Sequence, residues 1–467
     1  MASQLDFCTL PEDIVYGIIS FIYPLDIIHL RQTCKQMYDF TSLRTLWTSF
    51  YKDSSLFLPP GPFPSQSISD LEHVLVHAQR LDENWHSSDA PEFKTTRELK
   101  LDKPFFTAQL LRGRYLFLGL GNSFSLYDLD RGASWNEPIY QMTADDDVEL
   151  EFPRPRADST QGYLNGEVGS PMYVVVLARK RSQMGIESES QNILVWKVET
   201  LAPAIMTQVA SIPFESFTVS NVTISETFVV CHVTALTFLH SHLQDSIVYH
   251  IPTGKVYHFL ARTVQMATFY NRFDRLILAH QESKMFHVEV FALPQDNDAD
   301  TSLLQRTHHS ILDLPGGEWI FLENDASFTD NQKLPFIALK WLTQGEMNIK
   351  PAIYEMSFHN DGTITSSIVT EGKYRSVFKL CANASNRRRT TLVRAVSFAF
   401  ERDMPLEFSD IELTRSDTND MSLVNWRDRQ TLLNSEGPYP FDYTFDGYAG
   451  RVCLSYAGRG VVIGDFV

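Results

Sequence analysis

Cysteine is scarce and unpatterned in this sequence: Cys8, Cys34, Cys231, Cys381 and Cys453 are scattered over 467 residues with no C-x-x-C spacing. An odd, dispersed set excludes a disulfide framework and a structural zinc site, and reads as reduced thiols in the cytosol or nucleus. Positive charge is in deficit as well. With 40 Lys and Arg against 57 Asp and Glu the formal charge is −17, which leaves nothing to offset phosphate repulsion, so neither a nucleic-acid nor a membrane partner is expected. No apolar run nears the ~18 residues needed to span a bilayer. The first 30 residues carry Asp6, Glu12, Asp13 and Asp26 and no basic head, so no signal peptide is expected. Without a secretory route, the acceptor-like Asn221-Val222-Thr223 and Asn383-Ala384-Ser385 carry no meaning.

The patterns of bond chemistry are missing too. No G-x-S-x-G elbow, Walker loop or H-E-x-x-H occurs. Gly119-Leu120-Gly121 lacks a third glycine and a following helix, and reads as a hairpin turn. His240-Ser241-His242 with His232 has no Cys or Asp at a fixed spacing, and reads as a strand face rather than a metal site. The expectation is a non-enzyme with no catalytic, cofactor-binding or metal-binding residue.

What is present is apolar bulk: 43% hydrophobic and 12% aromatic residues, enough to bury a large core. The length favours two units. Residues 5–52 form the first. Thr9-Leu10-Pro11-Glu12 has the form of a capping box with Pro11 inside the first turn. Ile14, Ile18 and Ile22 recur every four residues, with Val15 and Ile19 beside them, a helix with a broad apolar stripe. Tyr23-Pro24 ends that helix and Pro24 starts the next, with Asp26 near its N-terminus. Leu25, Ile28, Leu30 and Cys34 follow; a third helix runs through Met37, Tyr38 and Phe40, and Leu46-Trp47 closes the segment. Three helices this short bury too little to be stable alone, so a covering partner is expected.

This order of Leu10-Pro11, Ile14, Ile18, Pro24, Asp26, Leu30, Cys34 and Trp47 resembles the F-box. Met37 departs from the family's usual tryptophan, and Tyr38 stands where an arginine is common. The resemblance implies docking to a Skp-type adaptor and, through it, to the cullin and RING subunits of an SCF-type ubiquitin ligase. On the matching positions it makes Leu10, Pro11, Ile14, Ile18, Pro24, Leu30 and Trp47 the adaptor-binding residues.

Residues 53–95 read as a joint. Residues 56–67 hold four prolines and a glycine and are expected to be stiff and extended. Leu71, Val74, Leu75, Ala78 and Leu81 then recur at helical spacing, with Ser69 as the expected cap, giving one bridging helix.

From 96 to 467 the period changes to that of many short strands. Residues 114–130 hold two strands joined by a Gly121-Asn122 turn; 169–180 with 191–199, and 245–261 turning at Pro252-Thr253-Gly254, give two more pairs. Apolar strands end near Leu129, Val198, Ile251, Leu293, Phe358, Phe400 and Phe466, at intervals of 42 to 69 residues. Seven such units, each able to supply four strands apolar on both faces, predict a β-propeller. The chain stops one strand short in its last unit, and residues 96–101 are the expected donor, which would remove an exposed edge. The expected fold class is therefore α+β and multidomain: an all-α opening unit of three short helices, a bridging helix, and an all-β propeller of seven blades. The repeat resembles WD-repeat propellers, without their Gly-His and Trp-Asp pairs. The combined order resembles the large F-box families of mushroom-forming fungi.

Two basic clusters stand out in an acidic chain, Arg387-Arg388-Arg389 and Arg179-Lys180-Arg181. Convergent guanidinium groups match phosphate oxygens, so Arg387, Arg388 and Arg389 are the candidate substrate-binding residues. Asp145-Asp146-Asp147 with Glu149 and Glu151 reads as a solvated loop. The function expected is substrate recognition in the cytoplasm or nucleus, with an unknown target protein held by the propeller. The alternatives are a propeller hydrolase with channel carboxylates, or an adaptor-bound scaffold outside any ligase.

Overall fold

The structure is a computed structural model of the chain. It describes residues 10–19, 21–59, 61–86, 91–101, 105, 107–145, 147–151, 171–180, 191–199, 205–214, 217–224, 228–235, 244–261, 267–272, 275–282, 285–293, 304–312, 317–321, 333–341, 349–371, 377–385, 390–398, 406–415, 421–431, 442–456 and 460–467.

Short helices come first. They are α1 (Glu12–Ile19), α2 (Pro24–Arg31), α3 (Lys35–Thr41), α4 (Arg44–Asp53) and the longer α5 (Ile68–Trp85). The opening unit thus has four helices, not three. After Thr41 the chain turns, with Leu43 N–H donating to the Phe40 carbonyl at 3.3 Å, and Leu43 is extended before Leu46-Trp47 enters a helix of its own. Pro11 stands just before α1 rather than in its first turn, its carbonyl accepting from Val15 at 3.1 Å; Thr9 lies outside the described residues. α5 is capped two residues earlier than expected. Ser67, not Ser69, accepts from Asp70 N–H at 3.1 Å while the Asp70 carboxylate accepts from Ser67 N–H at 2.8 Å. An acid at the third helical position lets the cap be reciprocal; Glu72, three residues after Ser69, is instead engaged by Arg31.

The remedy for a small helical core is supplied within the chain. Val15, Ile19, Ile27, Phe40, Leu46 and Trp47 pack in one cluster with Leu71, Leu75 and Ala78 of α5. Each fully buried leucine contributes roughly 1.5–3 kcal/mol, so α5 adds several to a unit too small alone. The proline segment is packed instead of free: Phe57 is buried and its ring stacks on Tyr448 at 4.9 Å, and Tyr51 Oη donates to the Pro59 carbonyl at 2.7 Å.

The other half of α5 belongs to a different core. Leu81 and Trp85 pack with Tyr443, Phe445, Val452, Leu454 and Phe466. Asn84, buried, donates to the carbonyls of Phe466 at 2.6 Å and Glu92 at 2.8 Å. Gly450 has φ +61, and a Cβ built there would stand 2.5 Å from Leu81 Cδ1, so only glycine lets helix and sheet approach this closely.

The rest is strand. Among the described residues there are seven four-stranded antiparallel sheets, spanning 107–143, 148–214, 217–261, 267–312, 317–371, 377–431, and 442–465 together with 95–100. In six of them the strands follow chain order. The seventh takes its outer strand from the start: Thr95–Lys100 pairs with Gly460–Asp465, Arg97 opposite Ile463 and Leu99 opposite Val461. This is the donation expected from the sequence. Each sheet touches the next, and the strand Asp442–Asp446 touches both Val377–Ser385 of the sixth sheet and Thr107–Leu111 of the first. Tyr115–Gly119 and Ser123–Asp128 are buried along their whole length, which is what two covered faces require.

The strand-end marks read from sequence hold for Leu129, Val198, Ile251, Leu293, Phe358 and Phe466, each at the end of a third strand. Phe400 is the exception and lies outside the described residues. The third strand of the sixth sheet is Leu406–Arg415; the second strand, Thr390–Phe398, is the more apolar of the two and draws the mark one strand early.

Candidate adaptor-binding surface

α1 is apolar over a wider arc than one core can use. Val15 and Ile19 face the cluster and are buried, while Ile14 and Ile18, one turn apart, are 47% and 41% exposed. The chain then turns through Phe21, which is 89% exposed, with its N–H on the Ile18 carbonyl at 3.2 Å, and Tyr23, also exposed, precedes α2. Tyr38 on α3 and Leu43 before α4 add two more exposed apolar side chains. Large apolar groups on a small helical unit, left to water, mark a surface built for another molecule.

The expected adaptor-binding residues divide into two sets. Pro11, Ile14 and Ile18 are exposed, and Leu10 and Leu30 are half-buried against the core. Pro24 and Trp47 do not belong to the surface. Pro24 is buried at the start of α2, and Trp47 is 0% exposed with Nε1–H donating to the Thr41 carbonyl at 2.7 Å. An indole this size at the centre of four short helices is worth more as core than as contact, which is why it sits inward. Phe21, Tyr23, Tyr38 and Leu43 are further exposed apolar positions that sequence reasoning did not single out. The signal was the breadth of the α1 stripe, since Ile14 and Ile18 cannot share a face with Val15 and Ile19 completely.

The surface rests on a fixed support. Arg31 of α2 donates to Glu72 of α5 through both terminal nitrogens, at 3.0 Å for Nη1, and to Thr41 Oγ1 and carbonyl at 3.2 and 2.9 Å. Its guanidinium lies 5.7 Å from the centre of the Trp47 ring. Leu25 N–H donates to Gln79 Oε1 at 2.9 Å. One arginine and one glutamine thus tie α2 and α3 to α5, and α5 is itself locked to the seventh sheet. At that second contact His77 Nε2 lies 3.0 Å from the Ala449 carbonyl, and burial holds its imidazole below the ordinary value of 6.5.

Of the other candidates, Arg387, Arg388 and Arg389 lie outside the described residues, as do His240 and His242. Arg179 and Lys180 stand opposite Glu149 and Val148 in register, with Lys180 Nζ 3.4 Å from Asp147, so this basic run is answered by the acidic one across the strand pair. Among the described residues no group of three or more His, Cys, Asp or Glu side chains converges, and no helix is long and apolar enough to cross a membrane.

Residues 7–53 match the family profile described as F-box-like. The chain therefore carries an F-box-like domain over α1 to α4. No curated protein matches the chain significantly. Among solved structures, it is similar to a eukaryotic initiation factor at 11% identity and TM-score 0.32, covering 81% of this chain and 88% of that one. An ACO/RPE65 chimera is similar at 10% identity and TM-score 0.26, covering 76% and 70%. Likenesses this slight carry no argument.

Proposed function

We propose that this chain is the substrate-recognition subunit of an SCF-type cullin–RING ubiquitin ligase, acting in the cytoplasm or nucleus, and that it performs no bond chemistry itself. The observation that carries the reading is the exposed row of Ile14, Ile18 and Phe21 on an F-box-like unit whose own core is already complete. Those side chains are not members of that buried cluster. Covering them with a Skp-type adaptor would return about 25 cal/mol per Å² of apolar area removed from water.

The β region is proposed to be a seven-bladed propeller that holds the target protein. Seven sheets of four strands, each against the next, and the pairing of Thr95–Lys100 with Gly460–Asp465 support it. α5 shares its side chains between the helical core and the seventh sheet, so adaptor and cargo would be carried on one stiff body. A fixed separation between a bound target and the ubiquitin donor is a proximity effect, and a loose hinge would lose it.

The test is affinity purification of the full chain from proteasome-inhibited cells, read by mass spectrometry. Recovery of a Skp-type adaptor together with cullin and RING subunits supports the reading. Adaptor without cullin reduces it to an adaptor-bound scaffold, and recovery of neither overturns it.

A further inference from the structure

A cleft of about 530 Å³ opens where the end of α5 meets the seventh sheet. Arg80, Glu83 and Asn84 line it from the helix, Glu92 and Lys94 from the segment entering the borrowed strand, and Val467 from the segment leaving Gly460–Asp465. The volume falls within the range of small-molecule sites, about 300–1,000 Å³.

The walls are tied together before any ligand arrives. Asn84, buried, donates to the carbonyls of Phe466 and Glu92, and its Oδ1 accepts from Glu92 N–H at 3.0 Å. Phe466 is fully buried behind the cleft, its ring stacked on Phe93 at 4.6 Å and edge-on to Trp85 at 5.9 Å. The apolar surface left for a ligand is therefore small: Val467 and the stems of Arg80 and Lys94.

Charge decides what fits. Two cationic side chains, Arg80 and Lys94, share the lining with two carboxylates, Glu83 and Glu92. A ligand of one sign is drawn to one pair and repelled by the other, whereas a small zwitterion gains from both. The four charges are available. Among the described residues the Arg80 guanidinium has no partner, and Glu83 spends one oxygen on Gln79 Nε2 at 2.7 Å. Glu92 and Lys94 stand 4.0 Å apart and are 75% and 56% exposed, a contact that parts at little cost.

We propose that this cleft binds a free α-amino acid with an aliphatic side chain, its carboxylate at Arg80 and Lys94, its ammonium at Glu83 and Glu92, and its side chain on Val467. No residue of α1 to α4 takes part, so the site is independent of adaptor docking. A ligand that touches helix and sheet at once binds only their docked arrangement and stabilises it by mass action.

The test is isothermal titration of the purified full chain with L-leucine, with isocaproate, which lacks the amine, and with isoamylamine, which lacks the acid. Saturable binding of one L-leucine is expected, at least tenfold tighter than either analogue, with a rise in melting temperature at saturation. Arg80→Gln and Glu92→Gln change exposed positions and should spare the fold while weakening L-leucine at least tenfold. Lys255→Gln, on the third sheet, should leave binding unchanged. The proposal is overturned by absence of saturable L-leucine binding, by an analogue that binds as tightly, by unchanged binding in the Arg80 variant, or by loss in the Lys255 variant. Should the Arg80 variant melt early, the Glu92 variant decides in its place: unchanged binding there refutes the site.

Discussion

Arg451, in the seventh sheet, holds Asp130 of the first sheet with Nη2 3.0 Å from Oδ1. The same guanidinium donates to Asp465 through Nε and to the Gly113 carbonyl through Nη1, while Arg97 donates to the other oxygen of Asp465 at 2.9 Å and to the Leu129 carbonyl at 2.7 Å. One charged knot therefore joins the first sheet, the last sheet and the borrowed strand. Arg451 and Asp465 are largely buried, whereas Asp130 is half exposed. Removing one partner of a buried pair leaves the other charge desolvated, so Arg451→Met should cost roughly 3 kcal/mol. Asp130→Asn, at a solvated end, should cost under about 1 kcal/mol. Urea unfolding of the two variants beside wild type checks the ranking.

Ile14 and Ile18 point away from the core that Val15 and Ile19 fill. Changing both to Asp should abolish co-purification with a Skp-type adaptor while leaving the melting temperature of the isolated chain close to wild type, because surface changes off the core usually cost little. Trp47→Ala is the opposite case. It should lower stability by about 3–5 kcal/mol and lose the adaptor only through unfolding. Thermal melts run alongside the pull-down separate the two; an Asp pair that still recovers the adaptor refutes the assigned surface.

Local periodicity made much of this fold readable, and the failures have physical causes. The helical stripes, the Gly121 and Gly254 turns and the borrowed strand were visible because each depends on a few neighbouring residues. The inward turn of Trp47 was not, since a buried indole and an interface indole look alike without the helices around them. The last strand-end mark but one fell after a second strand because Thr390–Phe398 is more apolar than the charged third strand Leu406–Arg415. The charged knot did have a signal. Gly113-Arg114 with Asp128-Leu129, and Gly450-Arg451 with Asp465-Phe466, repeat at the same spacing, and both arginines ion-pair with the later aspartate.

His77 links α5 to the seventh sheet and gives the chain a pH dependence of definite sign. Burial holds its imidazole below the ordinary 6.5; His73 and Arg451 act in the same direction, and the Ala449 carbonyl and Asp130 oppose them. The unfolded chain therefore takes up a proton at a higher pH than the folded chain does. Stability from this site is complete above the ordinary histidine value, falls as pH drops through it, and levels off once the folded imidazole also titrates. His77→Gln keeps an N–H for Ala449 and removes the titration. Melting curves from about pH 8 to pH 5 should show wild type losing stability relative to the variant on the acid side; parallel curves would place His77 outside any desolvated contact.

Leu81 and Gly450 meet where the bridging helix packs on the sheet, and they can be tested as a pair. An alanine at 450 meets two obstacles: φ of +61 is strained for any residue with a Cβ, and that Cβ would stand 2.5 Å from Leu81 Cδ1. Gly450→Ala should therefore destabilise by about 1–3 kcal/mol through strain and overpacking together. Leu81→Ala alone should cost about 2–5 kcal/mol as a cavity. Only the overpacking part disappears when both changes are made, so the double variant should be less damaged than the sum, by about 1 kcal/mol. Strict additivity in urea titrations would mean that helix and sheet are not in contact there, and the rigid link between adaptor surface and β region would lose its clearest support.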